Sequence, residues 1–314
     1  MLQLDAAALR LRLPLAPLVQ ALGVMFAAGC EVPLRQTLPI GELGTVLVMP
    51  AWQPGRHFGI KTITIFPGNR AAGLPGLHAV YVLFDARTGV PLALMDGSEL
   101  TSRRTAAASA LAAGYLARED ARRLLVLGAG RVASLLPAAM HCVRPGLTQV
   151  AVWNRSPAGA RALVEQLRRD GLQAEVATDL QAAVRRADIV SCATLSTVAL
   201  VQGAWLAPGT HLDLIGSFTP TMREADGACL ARGRVFVDTE EAMAKAGDVL
   251  QAVAEGQFQA AQLQGTLAQL CRGERAGRLS PDEITVFKSV GSALEDLAAA
   301  GLALGAADNP PVPA

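Results

Sequence analysis

Four apolar residues running into a glycine pair, Leu124-Leu125-Val126-Leu127-Gly128-Ala129-Gly130, constrain this chain more than any other feature. The run lacks the alternation of a strand with one wet face, and a glycine turn cuts it short. It reads as a strand buried on both sides, as in a parallel sheet. Gly128-Ala129-Gly130-Arg131-Val132-Ala133 then fits G-x-G-x-x-A. The first glycine permits a tight turn, and the second lets backbone N–H groups approach a pyrophosphate. Ala133 lets the next helix pack on the strand, and the helix start favours an anion. Because the match follows a strand and opens a helix, it is expected to hold a dinucleotide through Gly128, Ala129, Gly130, Arg131 and Val132.

Beyond this loop the chain keeps the same rhythm. A helix runs to about Cys142. Strands are predicted at 149–153, 174–177, 189–193, 211–215 and 234–237, with helices at 157–169 and from Asp179, a helix cap by residue type, to near Ala187. Strands alternating with helices imply right-handed crossovers and a doubly wound parallel sheet, so this part is an α/β Rossmann domain. Its second strand ends Trp153-Asn154-Arg155-Ser156. An NAD site usually offers an acid here to the ribose 2′-hydroxyl. Asn154, Arg155 and Ser156 instead offer hydrogen bonds and a positive charge to a 2′-phosphate. NADP(H) is therefore favoured, with NAD(H) left possible.

The first third of the chain is different. Residues 45–49, 59–66 and 79–84 are β-branched or apolar runs, the last two followed by the turn signals Pro67-Gly68-Asn69 and Asp85-Ala86-Arg87-Thr88-Gly89. They predict an antiparallel sheet, followed by an Ala-rich helix over 102–117. Before them, Arg10 and Arg12 precede an apolar run with Ala27-Ala28-Gly29-Cys30 at its end, a pattern that a secretory signal also shows. Pro14, Pro17, Gln20 and Gly23 interrupt that run, and Leu18, Leu22, Met25 and Phe26 share one helical face, so an ordinary amphipathic helix is expected. At the other end a long helix is expected from about Ser280, with a loose tail over 309–314. The domains are expected at 1–116, an α+β domain completed by a C-terminal helix over 289–314, and at 117–288.

The bulk numbers narrow the function. A length of 314 residues suits about two domains. The 28 basic and 27 acidic residues nearly cancel and form no basic stripe, so nucleic acid is not an expected partner. No other run approaches a membrane span. Five scattered cysteines and four separated histidines (His57, His78, His141, His211) have no metal-ligand spacing. No metal is expected, and free thiols suit a reducing cytoplasm. Three basic residues in apolar or turn settings, Arg35, Lys61 and Arg104, are together candidates for clamping a carboxylate.

At these residues the sequence resembles the ornithine cyclodeaminase/μ-crystallin family. The resemblance rests on Pro33-Leu34-Arg35, Gly59-Ile60-Lys61-Thr62, Pro67-Gly68-Asn69, Leu100-Thr101 with Arg104-Thr105-Ala106-Ala107, and the Gly128 loop. It continues through Ile215-Gly216-Ser217-Phe218-Thr219-Pro220 with Arg223-Glu224, Ala246-Gly247-Asp248, Val286-Phe287-Lys288-Ser289-Val290-Gly291 and Glu295-Asp296-Leu297. It implies a homodimer whose first domain forms the dimer interface and holds substrate. It further implies that Arg35, Lys61 and Arg104 lie near the substrate carboxylate, with Arg104 also near the cofactor. Thr194, Ile215 and Gly216 would lie beside the nicotinamide, and the segment around Ser289 and Gly291 would close over the same site.

The family divides by reaction. Ornithine cyclodeaminases, which turn ornithine into proline and ammonia with NAD, carry a catalytic Asp where this chain has Phe218. Asp213 lies in the strand itself and is a poor substitute. The branch without that Asp resembles ketimine and pyrroline-2-carboxylate reductases of amino-acid metabolism. The resemblance thus implies an NAD(P)H-dependent reduction of pyrroline- or piperideine-2-carboxylate to the cyclic amino acid. A cyclodeaminase and a non-catalytic NADP-binding protein are the alternatives.

Overall fold

The computed structural model describes residues 1–305. The chain forms two compact units, Met1–Arg104 with the C-terminal residues from Ser292, and Thr105–Gly291. Unit 1 opens with β1 (Leu2–Leu4), α1 (Ala6–Arg12) and α2 (Leu15–Ala28). Asp5 caps α1 by accepting from the Ala8 N–H, and α2 buries Leu18, Val19, Leu22 and Phe26. Then come β2 (Gln36–Ile40), β3 (Gly44–Trp52), β4 (His57–Ile65), β5 (Leu77–Asp85) and β6 (Pro91–Asp96). The six strands form one sheet in the order β1-β6-β5-β4-β3-β2. It is antiparallel from β2 to β6, while β1 joins β6 in parallel. α3 (Gly97–Leu116) follows, and the division between the units falls inside it. The sequence places that boundary at 116/117 instead, where α3 ends.

Unit 2 holds β7 (Arg123–Leu127), α4 (Arg131–Val143), β8 (Gln149–Trp153), α5 (Pro157–Arg169), β9 (Gln173–Val176), α6 (Leu180–Arg186) and β10 (Ile189–Cys192). It continues with β11 (His211–Leu214), α7 (Gly227–Arg232), β12 (Arg234–Val237), α8 (Glu241–Lys245), α9 (Gly247–Ala254), β13 (Leu263–Thr266), α10 (Leu267–Cys271) and β14 (Thr285–Lys288). The eight strands are all parallel, in the order β13-β12-β14-β11-β10-β7-β8-β9. All residues of β10, β11 and β14 are buried, as inner strands of a parallel sheet are, and the burial takes in the polar residues Ser191, His211, Asp213, Thr285 and Lys288. The strand order reverses at β7, so the crevice outside the ends of β7 and β10 is where such a sheet takes a ligand.

α11 (Ala293–Gly305) returns the chain to unit 1 and packs on α2, β3 and β4. The long helix expected from Ser280 is therefore corrected: β14 stands first, inserted between β11 and β12, and the helix begins only at Ala293. Val286 and Phe287 are wholly buried there. Their β-branched and aromatic side chains fill both faces of the sheet, and pairing on two sides outweighs any helical periodicity. The tail expected over 309–314 lies outside the described residues.

Candidate active site

Register places the charged residues of unit 1. Lys61 sits mid-strand in β4, opposite Met49 on β3 and Tyr81 on β5. Arg35 immediately precedes β2, whose first residue pairs with Val48, so it lies beside that row and is half-buried. Arg104 is on α3, and Glu295 and Asp296 are in the first turn of α11. Lys61 Nζ lies 2.9 Å from Oδ1 and 2.7 Å from Oδ2 of Asp296, and 3.3 Å from Thr101 Oγ1. Arg104 donates from Nε to Asp296 at 2.9 Å and from Nη1 to Glu295 at 2.5 Å.

Two cations and two carboxylates thus cancel in a fully buried cluster. Burial lowers the Lys61 pKa to about 8, against the pull of Asp296. Burial also opposes ionisation of Asp296, but Lys61 and Arg104 outweigh it and hold this carboxyl below its usual range. Burial works against Arg104 as well, and Asp296 and Glu295 overcome it, so its guanidinium stays charged. The cluster is not saturated. An ammonium has three N–H donors and a guanidinium five. Lys61 Nζ already faces three oxygens, but the Nη2 group of Arg104 has no hydrogen-bond partner among the described residues. The buried Tyr81 hydroxyl also has no hydrogen-bond partner among the described residues. Unit 1 therefore keeps spare donors on a charge-balanced base, which suits an incoming carboxylate better than bare cations would, since the cations are already fixed in place.

Unit 2 places the glycine loop at the end of β7. Gly128 has φ +112°, and a Cβ there would lie 2.5 Å from the Ala193 carbonyl oxygen, so only glycine fits. Gly130 is exposed with open space about it, and it caps α4 without any side-chain hydrogen bond to the helix start. Arg131 is exposed, Ala129 and Val132 are half-buried, and Ala133 is buried. An open, uncapped helix start of this kind fits a pyrophosphate. At the end of β8, Asn154 donates to the Ser156 carbonyl at 3.0 Å, and the Arg155 side chain is exposed with no ion pair among the described residues. Ser156 precedes α5 but does not cap it.

Thr194 follows β10, and Ile215 and Gly216 follow β11, so the three stand at the ends of neighbouring strands. A Cβ on Gly216 would overlap Thr194 backbone atoms and Glu224 Oε1. Asp238 organises the turn that holds Ser289 and Gly291: its Oδ2 accepts from Ser289 Oγ at 2.8 Å and from the N–H groups of Val290 and Gly291 at 2.9 and 2.7 Å. Phe218 packs on the apolar core of unit 2. Asp213 is buried, with its two oxygens bonded to Ser109 and Ser191, and burial raises its pKa to about 6.

Sequence reasoning gave no role to Glu295, Asp296, Glu224, Asp248, Lys288 or Asp238. A signal existed for several of them. Lys288 closes the apolar pair Val286-Phe287, and Glu295 and Asp296 sit between Leu294 and Leu297 on a helix whose other residues are all apolar or glycine. Charges inside apolar runs are buried only when paired.

The profile of the ornithine cyclodeaminase/mu-crystallin family matches residues 20–307. The Delta(1)-pyrroline-2-carboxylate reductase of Paracoccus denitrificans is 45% identical over 257 residues, covering 81% of each chain. The structure of Thermococcus litoralis Delta(1)-pyrroline-2-carboxylate reductase in complex with NADH and L-proline superposes with a TM-score of 0.92 at 30% identity, covering 98% of both chains. An archaeal alanine dehydrogenase dimer with bound NAD gives a TM-score of 0.92 at 29% identity, covering 100% of this chain and 98% of that one. With the family profile spanning nearly the whole chain, this protein belongs to the ornithine cyclodeaminase/mu-crystallin family.

Proposed function

We propose that this chain is an NAD(P)H-dependent oxidoreductase that reduces the C=N bond of a cyclic ketimine carboxylate, pyrroline-2-carboxylate or piperideine-2-carboxylate, to the cyclic amino acid. The observation that carries the reading is the buried Lys61–Arg104–Glu295–Asp296 cluster with donors to spare. Its spare N–H groups, together with Arg35 before β2, would hold the carboxylate of the imino acid. The reduced nicotinamide supplies the hydride. A protonated imine already carries the proton that the product nitrogen keeps, so positioning is the main demand on the protein. Lys61, with a pKa near 8, is suited to hold a proton at the imine nitrogen. The relatives named as pyrroline-2-carboxylate reductases support this substrate class.

Phe218 turns the reading away from the cyclodeaminase and from amino-acid dehydrogenases that need a carboxylate at this place. Asp213 does not replace it, since its two oxygens accept from Ser109 on α3 and Ser191 on β10. For the cofactor we propose NADP(H) ahead of NAD(H). The support is the exposed Arg155, with no ion pair among the described residues, beside an uncapped helix start and the lack of an acid at the end of β8. The solved relatives hold NADH and NAD, so use of NAD(H) stays within the proposal. We further propose a homodimer formed through unit 1, where Leu38, Ile40 and Val80 are exposed on the sheet, and a cytoplasmic setting, which the five unpaired cysteines suit.

The test is direct. Purified protein mixed with NADPH or NADH and each cyclic imino acid should consume the reduced cofactor, faster with NADPH, as followed by its absorbance. Binding of NADPH without turnover of any cyclic 2-imino acid would favour a non-catalytic binding protein. Ammonia release from ornithine with catalytic NAD would favour the cyclodeaminase.

A further inference from the structure

The loop between β11 and α7 carries a carboxylate to the ends of two strands. Glu224 is wholly buried. Its Oε1 accepts from the Thr194 N–H at 2.7 Å and the Thr194 hydroxyl at 2.8 Å, on the loop after β10. Its Oε2 accepts from the N–H groups of Gly216 at 2.8 Å and Ser217 at 3.2 Å, on the turn after β11. Four donors use the capacity of a carboxylate, about four lone-pair sites. Asp248 in turn fixes the backbone of Glu224, accepting from the N–H groups of Glu224 and Ala225 at 2.7 and 3.0 Å. Lys288, at the end of β14, places Nζ 3.1 Å from Asp248 Oδ2.

We propose that Glu224 is a positioning residue for the nicotinamide end of the dinucleotide, bolting the Thr194 loop to the Gly216 turn at a fixed spacing. The proposal rests on the reading that unit 2 binds a nicotinamide dinucleotide. Three observations carry it. The two segments held are those at the ends of neighbouring strands β10 and β11, the edge at which a doubly wound sheet takes its ligand. Gly216 has no space for a Cβ because Thr194 and Glu224 occupy it, so the spacing is set by direct contact. Lastly, two carboxylates are buried against one ammonium, an arrangement that stabilises less than an apolar plug of the same shape would. A purely structural joint has no need of it.

The groups facing Glu224 are Asp248 on α9, Lys288 on β14 and the buried Cys192 thiol at the end of β10. Only the ionised form can accept all four bonds, because a protonated carboxyl would set a hydrogen against a donor. Burial, opposed by Lys288, raises this carboxyl to about 7. The bolt is therefore complete above neutrality and loosens as pH falls through that value.

Glu224→Gln imitates the protonated state at every pH. NADPH binding, read by nicotinamide fluorescence from pH 6 to 9, should weaken roughly tenfold in this variant at pH 8, the loss expected for charged hydrogen bonds. The difference from wild type should shrink toward pH 6, kcat should fall, and the KM for the imino acid should stay within about twofold. Glu224→Asp reaches one segment but not both and should fall between the two. Wild-type-like NADPH affinity and pH dependence in Glu224→Gln would overturn the proposal, whatever its melting temperature. If that variant does not fold, wild-type affinity that is flat from pH 6 to 9, or Glu224→Asp identical to wild type, overturns it equally. A wild-type protein that binds neither NADPH nor NADH sinks the dinucleotide reading and the bolt together, whereas wild-type binding with an indifferent Glu224 sinks the bolt alone.

Discussion

Asp296 touches both Lys61 and Arg104, and what it does to Lys61 decides the state of that lysine at neutral pH. Burial alone pushes the Lys61 ammonium toward its neutral form, and Asp296 pulls it back. As pH rises through about 8 the ammonium is lost, so turnover that depends on it should decline above that point. Asp296→Asn keeps the shape and removes the pull. We expect the decline to move to lower pH, and kcat/KM for the cyclic imino acid at pH 8 to fall by about two orders of magnitude, in line with the weight of a positioned proton-holding group. NADPH affinity should be unchanged. Because a broken buried pair leaves an uncompensated charge, unfolding in urea should show a loss of about 3 kcal/mol. An unmoved pH profile would show that Lys61 does not depend on Asp296. Lys61 and Arg104 were legible in the sequence as cations in apolar settings. Their partners were not, since Asp296 is 235 residues away from Lys61 in the chain, and no local pattern records a pairing at that separation.

Among the elements, those whose pattern is local were the easiest to read. β8 from Gln149 to Trp153, α5 from Pro157 to Arg169 and β12 from Arg234 to Val237 match their expected bounds, and β7 starts one residue before its own, because an apolar run or a helical stripe is written in neighbouring residues. β2 was not expected. All five of its residues are exposed, and Pro39 lacks the N–H that an inner strand needs, which an edge strand tolerates. β13, with Gln264 and Gly265, is likewise an edge strand and its pairing with β12 is irregular. The β7–Gly128–α4 turn allows an element-scale test. Gly128→Ala puts a methyl against the Ala193 carbonyl at a φ that side chains rarely adopt. It should cost about 1–3 kcal/mol of stability, measured by urea unfolding, and weaken NADPH at least tenfold by displacing the N–H groups of the turn. Unaltered NADPH affinity would mean that the loop does not carry the pyrophosphate.

The whole molecule is discontinuous in sequence: unit 1 takes its last helix from the far end of the chain. Its sheet leaves Leu38 and Ile40 exposed on the edge strand and Val80 exposed on β5. An edge strand with exposed apolar side chains is a place for a second chain to pair. The proposed homodimer predicts that Leu38→Glu with Ile40→Glu lowers the mass seen by light scattering from that of two chains to that of one. A double variant that keeps a two-chain mass would put the interface elsewhere.

The sequence by itself determined the Rossmann unit, its glycine loop, the sheet-rich first unit and the three cations Arg35, Lys61 and Arg104. Each is specified by neighbouring residues: a buried strand by its apolar run, a tight turn by glycines, a charge by its residue type. Tertiary structure alone decided which carboxylates answer Lys61 and Arg104, that β14 stands between β11 and β12, and that Glu224 joins Thr194 to Gly216. These depend on strand order and on contacts between distant parts of the chain, and the burial that makes each charge consequential exists only once the chain has folded.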